Sequence, residues 1–133
     1  MKTLRICFGT NDGESLAKTH MGDTETFVIY DLDEVHSSFV EQRQNVVKDL
    51  DHAQADKMKQ ILNIVQDVHV LVAQQKSPNF IRIAQQTKYQ PVVVKIEAIS
   101  AALNIMQSHL NEIRTLVERR KKGEFPDTIP DLA

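Results

Sequence analysis

The sequence predicts a single α/β domain in which a mixed five-stranded sheet carries helices packed on it. Three observations predict it. The first part of the chain alternates apolar and polar residues as half-buried strands do, the period changes to a helical one from Ala55, and two later runs, "VHVLVA" and "PVVVKI", are almost continuously apolar, as strands covered on both faces are. With 133 residues, 41% of them hydrophobic, the chain suits one core. Residues 1–123 are expected to form the domain and residues 124–133 an extended C-terminal tail.

In "LRICFGTNDG", Leu4, Ile6 and Phe8 alternate with Arg5 and Cys7, and the turn-forming Asn11, Asp12 and Gly13 stop the run. "TFVIYDL" is β-branched and aromatic, and the polar residues around Asp33 and Glu34 close it in a short turn. Val35 to Val46 then returns as a third strand, completing an antiparallel meander. Met58, Ile61, Leu62 and Val65 recur at i, i+3, i+4 and i+7, one face of a helix. Between the strands at 68–73 and 91–96, "SPNFIRIAQQ" suits a short helix with Ser77 as N-cap and Pro78 at its first position. The final helix is predicted from about Ala98 to Lys122, with Ile99, Leu103, Met106, Leu110, Ile113 and Val117 on one stripe and Gly123 stopping it. The "RRKK" run at 119–122 reads as a solvated cationic helix end, which the helix dipole favours. The order β-β-β-α-β-α-β-α is that of a ribonuclease H-like domain.

Composition excludes several functions. Sixteen basic and 18 acidic side chains give a net charge of -2, without the basic footprint that phosphate backbones require, so no nucleic-acid partner is expected. No apolar run approaches the roughly 18 residues of a membrane helix and no secretory pattern opens the chain, so the expectation is a cytoplasmic protein with no membrane partner. The single cysteine, Cys7, excludes an internal disulfide and a Cys-rich zinc or iron-sulfur ligand set, and "LRICF" makes it a small buried hydrophobe. No nucleophile elbow or phosphate-cradling glycine loop is present. Asp12, Asp23, Asp31 and Asp33 are scattered between turns at opposite sheet edges, whereas a two-metal nuclease needs carboxylates that converge. The chain is therefore expected not to be an enzyme.

The topology also sorts the loops. If the first strand points up, the loop holding Asn11, Asp12, His20 and Gly22 lies at the top, as do the exit of the third strand, with Asp49, Asp51 and His52, and the exit of the fourth, "QQKSPNF". These loops share the rim beyond the strand carboxyl ends, where open α/β sheets bind ligands. His36 and His69 fall at the bottom edge and His109 in mid-helix, leaving His20 and His52 as the rim histidines. Each rim residue also has a local reading. His20 suits a loop histidine bonded to backbone, "DHAQADK" a helix entrance capped by Asp51, Asn11 and Asp12 turn chemistry, and Ser77-Pro78-Asn79 helix capping.

The "TNDG" after the first strand, the "HMG" before the second, the "DVHVLVA" strand and its "SPN" exit, in this order and spacing, resemble the dinitrogenase iron-molybdenum cofactor biosynthesis family, whose small members have a ribonuclease H-like fold. The resemblance covers most of the chain, from "RICFGTNDG" to "QPVVVKIEAISAALNIM". It implies a non-enzymatic carrier that binds an iron-sulfur-type cluster, the iron-molybdenum cofactor or its precursor, transiently and not permanently, with cluster donor and acceptor proteins as partners. The histidine of the family's His-Phe-Gly motif falls on His20, the implied primary ligand, with His52 a further metal-ligand candidate; Asn11, Asp12, Met21, Gly22, Ser77, Pro78 and Asn79 supply the surrounding loops. The chain departs from the family at Met21, where phenylalanine is usual, and at Lys76-Ser77, where an aromatic-glycine pair is common. Met21 can pack as a flexible apolar residue or offer a soft thioether. Imidazole ligates iron, amides and hydroxyls can bond cluster sulfurs, and one protein ligand permits handover where several cysteines would retain the cluster. The rival expectation is a small interaction or regulatory protein with no bound cluster, and either protein could form a homodimer through a sheet edge or the long helix.

Overall fold

The computed structural model describes residues 3–50 and 55–132. Three strands come first, β1 (Leu4–Thr10), β2 (Thr26–Leu32) and β3 (Ser37–Gln44), followed by α1 (Ala55–Ile64), β4 (Val70–Ala73), α2 (Pro78–Gln86) and β5 (Gln90–Val94). The chain ends with α3 (Ile99–Ser108), α4 (Leu110–Lys121) and β6 (Asp131–Leu132). The strands lie in the order β3-β2-β1-β4-β5-β6. β2 runs antiparallel to both neighbours, whereas β4, β5 and β6 continue parallel to β1. The expected mixed sheet is present. Its five expected strands gain a sixth because the C-terminal segment, expected to be extended, lays two residues along β5.

Alternation along the strands divides the core between two faces. Leu4, Ile6 and Phe8 point to one side, where α3 and α4 bring Ile99, Leu103, Met106, Leu110, Ile113 and Val117, the stripe legible in the sequence. Cys7, Phe27, Ile29 and Leu71 point to the other, against Ile61 of α1, Val65 just after it, and Phe80 and Ile83 of α2. At about 1.5–3 kcal/mol for each fully buried large apolar side chain, these two layers are what hold the helices on the sheet. Cys7 is fully buried there, and burial pushes its thiol well above the usual range, so it acts as an apolar residue.

Two expectations about the C-terminal part are corrected. The single helix from Ala98 to Lys122 is two helices that meet at His109, where φ and ψ of -110° and 18° interrupt the α-helical path while the apolar stripe continues across the joint. The "RRKK" run is not wholly solvated, because Arg120 is only 4% exposed. Its guanidinium donates to Gln90 Oε1 at 2.7 Å, to the Ala84 and Thr87 carbonyls at 2.8 and 2.9 Å, and to the Pro126 carbonyl at 2.8 Å. The last turn of α2, the start of β5 and the C-terminal segment thus converge on one side chain. Gly123 ends α4 as expected, with a φ of +87° that favours glycine. The Gly123 and Glu124 amides donate back to the Arg120 and Arg119 carbonyls, a Schellman closure.

Candidate functional site

The loop between β1 and β2 straddles the edge at which β1, β4 and β5 end. It opens on a turn in which the Asp12 carboxylate accepts the amides of Glu14 and Ser15 at 2.9 and 2.7 Å, and those bonds hold its pKa below the usual carboxylate value. Leu16 then plugs the core beneath α3, pinned by its amide on the Glu97 carbonyl at 2.6 Å. Met21 plugs the core on the opposite face. Between them the chain passes over the carboxyl edge, and the glutamines leaving β4 clamp it there: Gln74 donates to the Leu16 carbonyl and Gln75 to the Lys18 carbonyl, each at 2.7 Å.

His20 occupies the N-cap position of the 3-10 turn Met21–Asp23 in an extended conformation, with no capping bond from its side chain, and is half-buried. That turn is held close on three sides. A Cβ on Gly9 would meet Met21 Cγ at 2.8 Å, and one on Gly22 would meet Ile61 Cδ1 at 2.9 Å. The buried Asn45 donates to the carbonyls of Gly22 and Thr24, both at 2.8 Å. The Met-Gly that follows His20 is therefore fixed by packing: methionine fills the space above Gly9, and glycine lets the turn approach α1.

A narrow cavity of about 40 Å³ lies between this turn, one face of α1 and the first turns of α2. One wall is His20, Met21 and Gly22; the second is Lys57, Met58, Ile61 and Leu62 from α1; the third is Ser77, Asn79, Phe80 and Ile83 from α2. Ser77 caps α2 by accepting the Phe80 amide at 3.1 Å, so its hydroxyl proton remains available to another acceptor. Lys57 commits its ammonium to Asp23, at 2.6 Å, and to the carbonyls of Lys48 and Leu50.

Five of the expected site residues, His20, Met21, Gly22, Ser77 and Asn79, thus meet in one cavity. The other three do not line it. Asn11 accepts the Glu25 amide at 2.9 Å and so closes the base of the loop, Asp12 organises the turn, and Pro78 is exposed at the first position of α2. His52 and Asp51 lie outside the described residues. Of the remaining histidines, His36 is exposed in the β2–β3 turn at the opposite edge, and His109 sits at the joint of α3 and α4. His69, just before β4, accepts the Arg5 amide on Nδ1 at 2.9 Å; burial, with Lys121 and Arg5 nearby, pushes its pKa below the usual value.

The wall from α1 was not anticipated. Met58, Ile61 and Leu62 carry a helical period that reads as core, and nothing local in "ADKMKQ" marks Lys57 as a buried cation. Among the described residues no three His, Cys, Asp or Glu side chains group as they would to hold a metal ion, and no helix is long and apolar enough to cross a membrane.

The family model for the dinitrogenase iron-molybdenum cofactor matches residues 2–109, more than three quarters of the chain. The chain belongs to that family. No curated protein gives a significant match. The match ends at the joint between α3 and α4, so α4 and β6 lie beyond it. The dinitrogenase iron-molybdenum cofactor family name connects the chain with handling of that cofactor, and the donor set can be compared with such a cargo. The cavity offers one imidazole, two thioethers and two neutral polar groups, while the one thiol, Cys7, is sealed in the core. Such a set suits loose attachment and not permanent retention.

Proposed function

We propose that this protein is a non-enzymatic carrier that takes up an iron-sulfur-type cluster, the iron-molybdenum cofactor or a precursor, and passes it on. The observation that carries this reading is that His20, in the loop beyond the carboxyl ends of β1 and β4, lines a cavity together with the flank of α1 and the start of α2. A cluster of several metal and sulfide atoms is larger than the 40 Å³ slot and would rest on its mouth. There His20 would supply the metal ligand, with the Ser77 hydroxyl and the Asn79 amide as donors to cluster sulfurs. The N-terminal end of α2, whose N-cap Ser77 and residue Asn79 line the cavity, favours the negative charge of such a cargo. A single ligand leaves most of the cluster exposed, as transfer between a donor and an acceptor protein in the cytoplasm requires.

The test is an anaerobic titration of the protein with extracted iron-molybdenum cofactor or its iron-sulfur precursor, followed by gel filtration and metal analysis, alongside His20→Ala. Co-elution of molybdenum or iron with the wild type, sharply reduced in the variant, supports the carrier. Absence of binding by either protein counts against both cargoes and favours an interaction module on the same fold.

A further inference from the structure

The cavity that His20 lines is small, and its lining combines soft donors with apolar side chains. Its volume of about 40 Å³ admits a guest of only a few water-sized spheres, at roughly 10–15 Å³ each. Three residues that carry soft or borderline donors line it, His20, Met21 and Met58, together with the apolar Ile61, Leu62, Phe80 and Ile83 and the polar Lys57, Ser77 and Asn79. Hard cations need oxygen-rich ligand sets, whereas no carboxylate is among the described lining residues, and Asp23 in the adjoining turn is engaged by Lys57 at 2.6 Å. Thioether and imidazole together select a soft, weakly hydrated ion, and an apolar wall favours one of low charge. Met21 is also held in place, since its Cγ occupies the space a Cβ on Gly9 would need. Met58 is on the first full turn of α1, across the slot from it.

We propose that the cavity is a binding site for a single soft monovalent metal ion, Cu(I) in the cell, held by the His20 imidazole and the thioethers of Met21 and Met58. The site shares His20 with the carrier reading and does not rest on it: the cluster would lie on the mouth, the ion inside. Binding involves no change of oxidation state, so Cu(I) must be delivered already reduced.

The full chain is titrated anaerobically with Cu(I) against a chromophoric Cu(I) chelator, and with Ag(I) while the methionine methyl signals are followed by NMR. One equivalent is expected to bind, shifting the methyls of Met21 and Met58 and leaving Met106, buried on the other face, unmoved. Met21→Leu, Met58→Leu and His20→Ala are each expected to weaken Cu(I) by at least the roughly tenfold that loss of an outer-sphere partner costs. The leucines preserve volume and apolarity, and thermal unfolding checks that each variant folds. Cys7→Ala is expected to leave the stoichiometry unchanged. Failure to bind one equivalent overturns the proposal, as does binding abolished by Cys7→Ala or untouched by both methionine variants. Loss of Cu(I) with cluster binding retained in Met58→Leu separates the two readings, and a protein that binds Cu(I) but no cluster sinks only the carrier.

Discussion

The ammonium of Lys57, on a side chain 1% exposed, lies 2.6 Å from Oδ1 of Asp23. The same nitrogen donates to the carbonyls of Lys48 at 2.9 Å and Leu50 at 2.7 Å. One buried charge therefore ties the first turn of α1 to the 3-10 turn after His20 and to the segment leaving β3. Removing it takes the ammonium away from the Asp23 carboxylate and from two carbonyls. Lys57→Ala is expected to cost about 3 kcal/mol, at the low end for a broken buried pair because Asp23 is itself 33% exposed. Lys57→Met, which keeps the packing volume, should cost less. Urea unfolding of both variants checks this, and a Lys57→Ala protein as stable as wild type would refute it.

Gly9 sets the position of Met21. In Gly9→Ala the new methyl would meet Met21 Cγ at 2.8 Å and Thr24 Oγ1 at 3.0 Å. Since Thr24 Oγ1 is itself bonded to the Met21 carbonyl at 2.8 Å, neither neighbour yields easily. The expected loss is about 1–3 kcal/mol, typical of an overpacked core. Gly22→Ala should be milder, because the atom it meets is the far end of the Ile61 side chain. Thermal denaturation ranks the two, and the reverse order would show that the turn and not Met21 is the rigid element.

Acid sensitivity should concentrate at the opposite edge of the sheet. Arg43 binds Asp67 through two nitrogens at 2.7 and 2.9 Å, and Arg5 adds a third bond at 2.8 Å. Bonding to Arg43 first, then to Arg5, holds the Asp67 carboxyl well below its usual value of 3.8. Its folded pKa is depressed, so the stabilisation is complete above the unfolded value and is lost as pH falls from about 3.8 towards the folded one. With 39% of its side chain exposed, solvent screening keeps the effect modest. Melting temperatures between pH 5 and 2 should fall less steeply for Asp67→Asn than for wild type; parallel curves would remove Asp67 from the account.

Arg120 should govern the C-terminal segment. It is held by neutral acceptors alone, and burial, with Arg119 nearby, lowers its pKa to about 10, which leaves it charged at neutral pH. Arg120→Ala is expected to cost about 3 kcal/mol or more, since several buried acceptors lose a charged donor. The sharper readout is hydrogen exchange at the Val93 and Lys95 amides, which donate to the Pro130 and Leu132 carbonyls. Both should exchange faster in Arg120→Ala; protection equal to wild type would mean that the segment is held by β6 pairing and the packing of Leu132.

Strand and helix periods in the sequence carried most of the fold. Leu4, Ile6 and Phe8 alternate because one face of β1 meets α3 and α4, and Ser77-Pro78 announces α2 through chemistry confined to a few neighbouring residues. The rim was legible for the same reason: strand direction alone brings His20 and Ser77 to one edge. Long-range polar relationships were not legible. Arg120 lies in a run of four cations, and only the fold brings Gln90 and the Ala84 and Pro126 carbonyls around it. Lys57 was hidden likewise, because its partners come from segments 7 to 34 residues away. The break at His109 escaped notice because the apolar stripe crosses it without losing phase.

The bulge in the pairing of β2 with β3 has a consequence for how the sheet meets other molecules. Ile29 faces Glu41 and Tyr30 faces Phe39, so Val40 is an extra residue that bends the outermost strand, and Glu41 and Arg43 add charge beside it. At the other margin the chain's own last residues occupy the ladder of β5. One border is crooked and charged and the other is partly occupied by the chain itself, so neither offers a foreign strand a long straight template.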